Sequence, residues 1–251
     1  MSLGDFPSSG NVAGAITTGA IGSLIAFIVI TTFARTRVMM TLLGSRYRLA
    51  QALSVAGITK FHLSRDDYGR TLRTYLSSAT HSICIVSISL KQTHDEGNLI
   101  ELFRQRLAAS GDFRIKISLL APNSGAAFSA AVSLNVKPEE LSQEITQMLG
   151  LLVEFRWTLP EGDRQRFEIL VHDMLPMGSA ILLDASPGFG TIQIETKLHR
   201  TPRGESFGFE IVGPSSFYGR HYRAWTRVLD DSRQPRVDEV ATSSGSSSAR
   251  L

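Results

Sequence analysis

Between Val12 and Ala34 the chain reads VAGAITTGAIGSLIAFIVITTFA, a run without one charged residue. As a single helix it reaches about 34 Å, against a hydrocarbon layer about 30 Å thick, so it predicts a membrane span with some tilt. Asp5 is the only charged side chain ahead of the run, whereas Arg35, Arg37, Arg46 and Arg48 follow it. That asymmetry predicts residues 1–11 outside, 12–34 as a transmembrane helix, and everything later in the cytoplasm. A cleaved leader needs a basic start and a shorter apolar core, so an uncleaved single-pass anchor is the expectation. Ala15, Gly19 and Ser23 recur at four-residue spacing and offer a dimer face within the membrane, hence a homo-oligomer. Small residues are also common in spanning helices for no such reason.

The rest of the 251 residues suffices for one medium domain, given 43% hydrophobic residues. Twenty-six Lys and Arg against 23 Asp and Glu leave a net charge of +3. This balance singles out no partner, and nucleic acid stays undecided. The lone cysteine, Cys84, rules out a disulfide framework and lies in the apolar run SICIVSISL, where a buried inert thiol is expected. The six histidines show no ligand spacing, so neither a metal nor another cofactor is expected.

Local patterns lay out the elements. Residues 35–56 contain a helical periodicity, Leu42, Leu49, Leu53 and Ala56, that predicts a juxtamembrane helix ending at Gly57. ITKFHL reads as a strand, and Ser64 followed by Asp66 and Asp67 caps a helix over Tyr68–Ala79. SICIVSISL and FRIKISLLAP are strands, with an amphipathic helix over Asn98–Ser110 between them. Residues 123–137 predict a loop with a short helical turn, and Pro138 opens a helix over Glu139–Val153. FEILVHD, SAILLDA, TIQIETKLHR and SFGFEIVG then give four strand-like runs broken by Gly, Pro and Ser, which predicts antiparallel neighbours. A last helix covers Ser216–Leu229, and the polar stretch 233–251 reads as a disordered tail. Strand–helix–strand order with short loops predicts an α/β domain over 57–232: a mostly parallel sheet with flanking helices and antiparallel strands at its C-terminal side.

Candidate chemistry gathers where FEILVHD ends. Ligands of open α/β sheets collect outside strand C-termini, and His172 stands there. Lys197, Arg200 and Arg203 supply cations for a phosphate, with His172 as base or nucleophile. The alternative is a loop histidine and a solvated basic hairpin.

GITKFHLSRDDY, SICIVSISL, RIKISLLAP, VHDMLPMGSAILLD and ETKLHRTPRGESFGFEI, in this order, resemble the phospholipase D-like domains of bacterial proteins, as one degenerate copy covering about 57–232. The resemblance implies a bacterial inner-membrane location. In active members a His-x-Lys-x4-Asp signature supplies a nucleophilic histidine and a phosphate-holding lysine. With His172 in the histidine's place, Met174 stands for the lysine and Ser179 for the aspartate. The resemblance therefore implies a phosphate-friendly cleft drawing on His172, Ser179, Lys197, Arg200 and Arg203, with two catalytic groups replaced. The function expected is a membrane-anchored cytoplasmic sensing or interaction module binding a phosphate-containing ligand. The alternatives are a phosphodiesterase acting on phospholipid or nucleic acid through His172, and a structural assembly subunit.

Overall fold

The computed structural model describes residues 40, 44–174, 178–196, 200 and 206–240. The chain divides into two units, Met1–Ala52 and Leu53–Leu251. Residues 44–56 are helical (α1), and 44–50 are exposed.

In the second unit, β-branched runs form strands where they can be covered on both faces. Strands β2 (Ser82–Ser87), β3 (Arg114–Leu120) and β4 (Phe167–His172) lie parallel, as their intervening helices require. Between them run α3 (Lys91–Gly97), α4 (Leu99–Ala109), α5 (Gly125–Leu134), α6 (Pro138–Thr158) and the one-turn α7 (Glu161–Arg164). After β4 come β5 (Gly178–Ser186), β6 (Phe189–Thr196) and β7 (Gly208–Val212), with only two residues between β5 and β6. The early strand β1 (Ile58–His62) joins β7 at the far edge, giving the order β1-β7-β6-β5-β2-β3-β4. Between β1 and β2 lies α2 (Arg65–Ser77), and α8 (Ser216–Asp230) follows β7.

This corrects the mostly parallel sheet expected from sequence. Only β2–β3 and β3–β4 are parallel, and the pairs β1–β7, β7–β6, β6–β5 and β5–β2 are antiparallel, so the sheet is mixed with antiparallel pairs in excess. The physical reason is connection length. Helical crossovers enforce parallel pairing only as far as β4, whereas the short turn of Pro187 and Gly188 between β5 and β6 permits only an antiparallel hairpin.

The expected single-pass inner-membrane location and transmembrane helix are also corrected: among the described residues no helix is long and apolar enough to cross a membrane. The longest, α6 with 21 residues, carries Glu139, Glu140, Glu144, Glu154 and Arg156. Residues 12–34, with the dimer face of Ala15, Gly19 and Ser23, lie outside the described residues.

Two apolar layers enclose the sheet. On one face α4 buries Leu99, Leu102, Phe103 and Leu107, and α6 buries Leu141, Ile145, Met148, Leu149, Leu152 and Phe155, against the odd-numbered residues of β3 and β4. Phe167 anchors this layer, meeting the rings of Phe103 at 5.9 Å and Phe155 at 5.1 Å; truncating it to alanine costs about 3–5 kcal/mol. On the other face α8 lays Tyr218, Trp225 and Leu229 over Val86, Ala180, Leu182, Ile192 and Ile194. Ser64, Ser124 and Ser215 cap α2, α5 and α8 by accepting a backbone N–H.

Two local differences follow from tertiary contacts. The small-residue segment 123–137 forms α5, a three-turn helix, because Ala127, Ala130, Ala131 and Leu134 bury against the core. The segment from Arg233, expected to be disordered, is structured to Val240: Arg233 bridges to Val171 at the free edge of β4, and Val237–Glu239 form a 3-10 turn. Residues 241–251 lie outside the described residues.

Candidate ligand-binding edge

The strands bring two polar groupings to the edge where β2, β3 and β4 end, one on each face of the sheet. His172 closes β4 on the α8 face, with 2% of its surface exposed. Its Nδ1 lies 2.9 Å from Ser118 Oγ, which lies 2.8 Å from Ser232 Oγ just past α8. Its Nε2 is buried without a partner. Burial drives the imidazole pKa down to about 4, with Asp173 offsetting part of the effect, so the ring is neutral at physiological pH. Met174, where a lysine would stand in the phospholipase D-like signature, is 42% exposed and brings no charge.

The second grouping lies on the opposite face and is set by strand register. Ser179, Glu195, Gly208 and His62 stand side by side across β5, β6, β7 and β1. One step further in, Ile181, Gln193, Glu210 and Lys60 form the next row. Ser87 extends the outer row onto β2, its hydroxyl 3.1 Å from that of Ser179. His62, Gln193, Glu195, Ser179 and Ser87 are all buried. Glu210 ties the two rows together: its Oε1 lies 2.9 Å from His62 Nε2, 3.4 Å from Gln193 Nε2 and 3.7 Å from Lys60 Nζ. His62 Nε2 and Gln193 Nε2 also lie 3.3 Å apart, and since the imidazole N–H goes to Glu210, the amide N–H goes there too. Gln193 Oε1 is buried and has no partner. A buried amide oxygen left unpaired costs about 1–3 kcal/mol, which a ligand donor or a water would recover.

The structure separates residues that the sequence grouped together. His172 and Ser179 face opposite sides, with β2 and β3 between their strands; three strand spacings amount to about 14 Å. Arg200 is exposed, with φ of 56°, and its backbone N–H donates to Ser133 O at the end of α5. Lys197 and Arg203 lie outside the described residues. Sequence reasoning passed over His62, Gln193, Glu195 and Glu210. The available signal was polar residues at every second position of TIQIET and SFGFEIVG.

A separate groove of about 450 Å³ opens between α5 and α6, lined by residues including Pro122, Asn123, Phe128, Glu139 and Ser142. Its lining includes Glu139 and no cation. Among the described residues no three His, Cys, Asp or Glu side chains come together as metal ligands.

No protein-family model and no curated protein matches the chain. Among solved structures it is similar to TrmBL2, an archaeal chromatin protein whose structure shows a novel mode of DNA binding: 10% identity, TM-score 0.39, covering 78% of this chain and 63% of that one. The match thus spans less than two thirds of that protein. The chain is also similar to Nuc, a phospholipase D family member from Salmonella typhimurium, with 12% identity and a TM-score of 0.37, over 66% of this chain and 90% of that one.

Proposed function

We propose that this chain is a binding module rather than a phosphodiesterase, and that it takes a phosphate-containing ligand at the edge built by Ser87, Ser179, Glu195 and His62. The observation that carries this reading is the separation of His172 from that row. A nucleophilic histidine must meet the phosphorus with a cation beside it, and loss of such an electrostatic stabiliser typically costs about 3–4 kcal/mol. His172 is sealed on the wrong face, and Met174 brings no charge.

The outer row fits recognition better. The Ser87 and Ser179 hydroxyls bond one another and keep one proton between them for a ligand, and the unpaired Gln193 Oε1 accepts a ligand hydroxyl. Lys197, Arg200 and Arg203 follow β6 in sequence and are the candidate cations for a phosphate, while Glu210 holds His62 in place. An assembly role, with the same edge contacting a second protein, is the reading left if no small ligand binds.

The test is a thermal-shift and product assay on the full chain with inorganic phosphate, nucleotides, sugar phosphates and short oligonucleotides. This reading expects a stabilising ligand that is not consumed, with the shift lost in Ser179→Ala and Lys197→Ala and kept in His172→Gln. Turnover abolished by His172→Gln overturns it in favour of the phosphodiesterase.

A further inference from the structure

Helix α8 is apolar on one side and cationic on the other. Tyr218, Trp225 and Leu229 go into the core, so its apolar side is already used. The outer side presents Arg220, Arg223 and Arg227, all exposed. Steps of three and four residues keep them in one row, which at 1.5 Å per residue is about 10 Å long. The helix holds no acidic residue before Asp230. Arginines that serve this fold have partners: Arg166 donates to the carbonyls of Leu107, Ser110 and Phe113, and Arg233 to both carboxylate oxygens of Glu239. Among the described residues, the guanidinium groups of Arg220, Arg223 and Arg227 reach neither a carbonyl nor a carboxylate. Like charges at this spacing weaken a helix, and here no partner offsets them.

Aromatic rings continue the row towards the edge of the sheet. Phe217 stands one turn ahead of Arg220, and its ring lies 4.5 Å from that of His221 and 6.2 Å from that of Phe209 on β7. The Phe209 ring lies 6.1 Å from that of Phe61, which is 48% exposed on the edge strand β1. Phe209, Phe217 and His221 are half-buried. A row of free cations thus adjoins a platform of rings that one helix and two strands hold in place.

This pairing selects a partner. Spaced cations suit a chain of phosphates, and exposed rings suit unstacked bases, since stacking accepts any base. A duplex keeps its bases stacked inside and would leave the rings unused. A lipid surface takes up an amphipathic helix by its apolar side, which α8 has buried in the core.

We infer that the outer side of α8 and the adjoining rings bind single-stranded nucleic acid, with Arg220, Arg223 and Arg227 on its phosphates and Phe61 and Phe217 against its bases. This surface lies on the opposite face of the sheet from Ser179 and goes beyond the binding role proposed above.

The experiment is fluorescence anisotropy of a labelled oligothymidylate titrated with the full chain at several salt concentrations. Saturable binding is expected, its logarithm falling against that of salt with a slope of about −2, as three phosphate contacts on a single strand give. Arg223→Ala brings the slope to about −1.4, and replacing all three arginines by alanine abolishes binding. Phe61→Ala weakens binding about tenfold and leaves the slope alone, because a ring releases no counterions. Thermal melts of the arginine variants match the wild type, since these side chains make no bonds within the fold. Arginine variants that bind as the wild type does overturn the inference, as does a duplex of the same length bound equally well or a preference for phosphatidylserine vesicles. Binding lost in Ser179→Ala and kept in the arginine variants puts the strand on the opposite face, which overturns this inference and leaves the phosphate reading standing.

Discussion

His172 and Ser179 stand on opposite faces of one sheet, with β2 and β3 between their strands. Groups so placed share no hydrogen-bonding partner: His172 reaches Ser118, and Ser179 reaches Ser87. Denaturant unfolding of His172→Gln, Ser179→Ala and the double variant should therefore give additive losses, within about 0.5 kcal/mol. A coupling above about 1 kcal/mol would mean that the two belong to one network after all.

Acid should reach His172 in the unfolded chain well before it reaches the buried ring of the folded one. Its folded pKa of about 4 lies below the ordinary 6.5, so the unfolded chain takes up this proton first. The stability this neutral ring preserves is complete above pH 6.5 and is lost as the pH falls towards 4, by about 3 kcal/mol in all. In His172→Gln that part of the pH slope disappears. Unfolding free energies measured at several pH values between 7 and 4 check both curves, and parallel curves contradict the assignment.

Asp184 acts as a clamp at the opposite end of β5. Its carboxylate accepts the backbone N–H groups of Thr80, His81 and Ser82 at 2.6–2.8 Å, and the Thr80 hydroxyl at 2.9 Å. Burial pushes its pKa up, and these four donors outweigh that and hold it below the usual carboxylate value. Asp184→Ala should cost about 2–3 kcal/mol, and Asp184→Asn less, since asparagine keeps one acceptor and tolerates the φ of 48° found here. Thermal melts of both variants test the order.

At the start of β5, a methyl group on Gly178 would come within 1.9 Å of the Glu195 carbonyl oxygen. The two strands must part to admit it. Gly178→Ala should destabilise by more than about 2 kcal/mol and disturb the amide signals of Ser179 and Glu195 ahead of those of β3. A neutral substitution would place the two strands further apart than the register indicates.

What the sequence disclosed was local. SICIVSISL and FRIKISLLAP are strands, Ser64 caps its helix, and Pro138 begins α6, because propensity, capping and periodicity act over a few residues. What it hid was long-range. That β1 pairs with β7 is decided by contacts some 150 residues apart, and with it the row of His62, Glu195 and Ser179. Beyond the hairpin set by the short β5–β6 turn, the distant pairs β1–β7 and β2–β5 tip the expected mostly parallel sheet to a mixed one. His172 was legible as the end of a strand, but which face it takes depends on a period of two whose phase only the packed helices reveal. Residues 233–240 look polar and featureless, and they are ordered by Val171 and by the Arg233–Glu239 pair, neither of which a local pattern announces.

Recognition without turnover is open to a single experiment. Its most direct measurement is titration of the full chain with phosphate-bearing ligands, reading heat and product together for the wild type, Ser179→Ala and His172→Gln. Saturable binding is expected, weakened about tenfold by Ser179→Ala, roughly the loss of one buried hydrogen bond, unaffected by His172→Gln and accompanied by no product. Product formed by the wild type and abolished by His172→Gln would contradict it, as would binding that ignores Ser179.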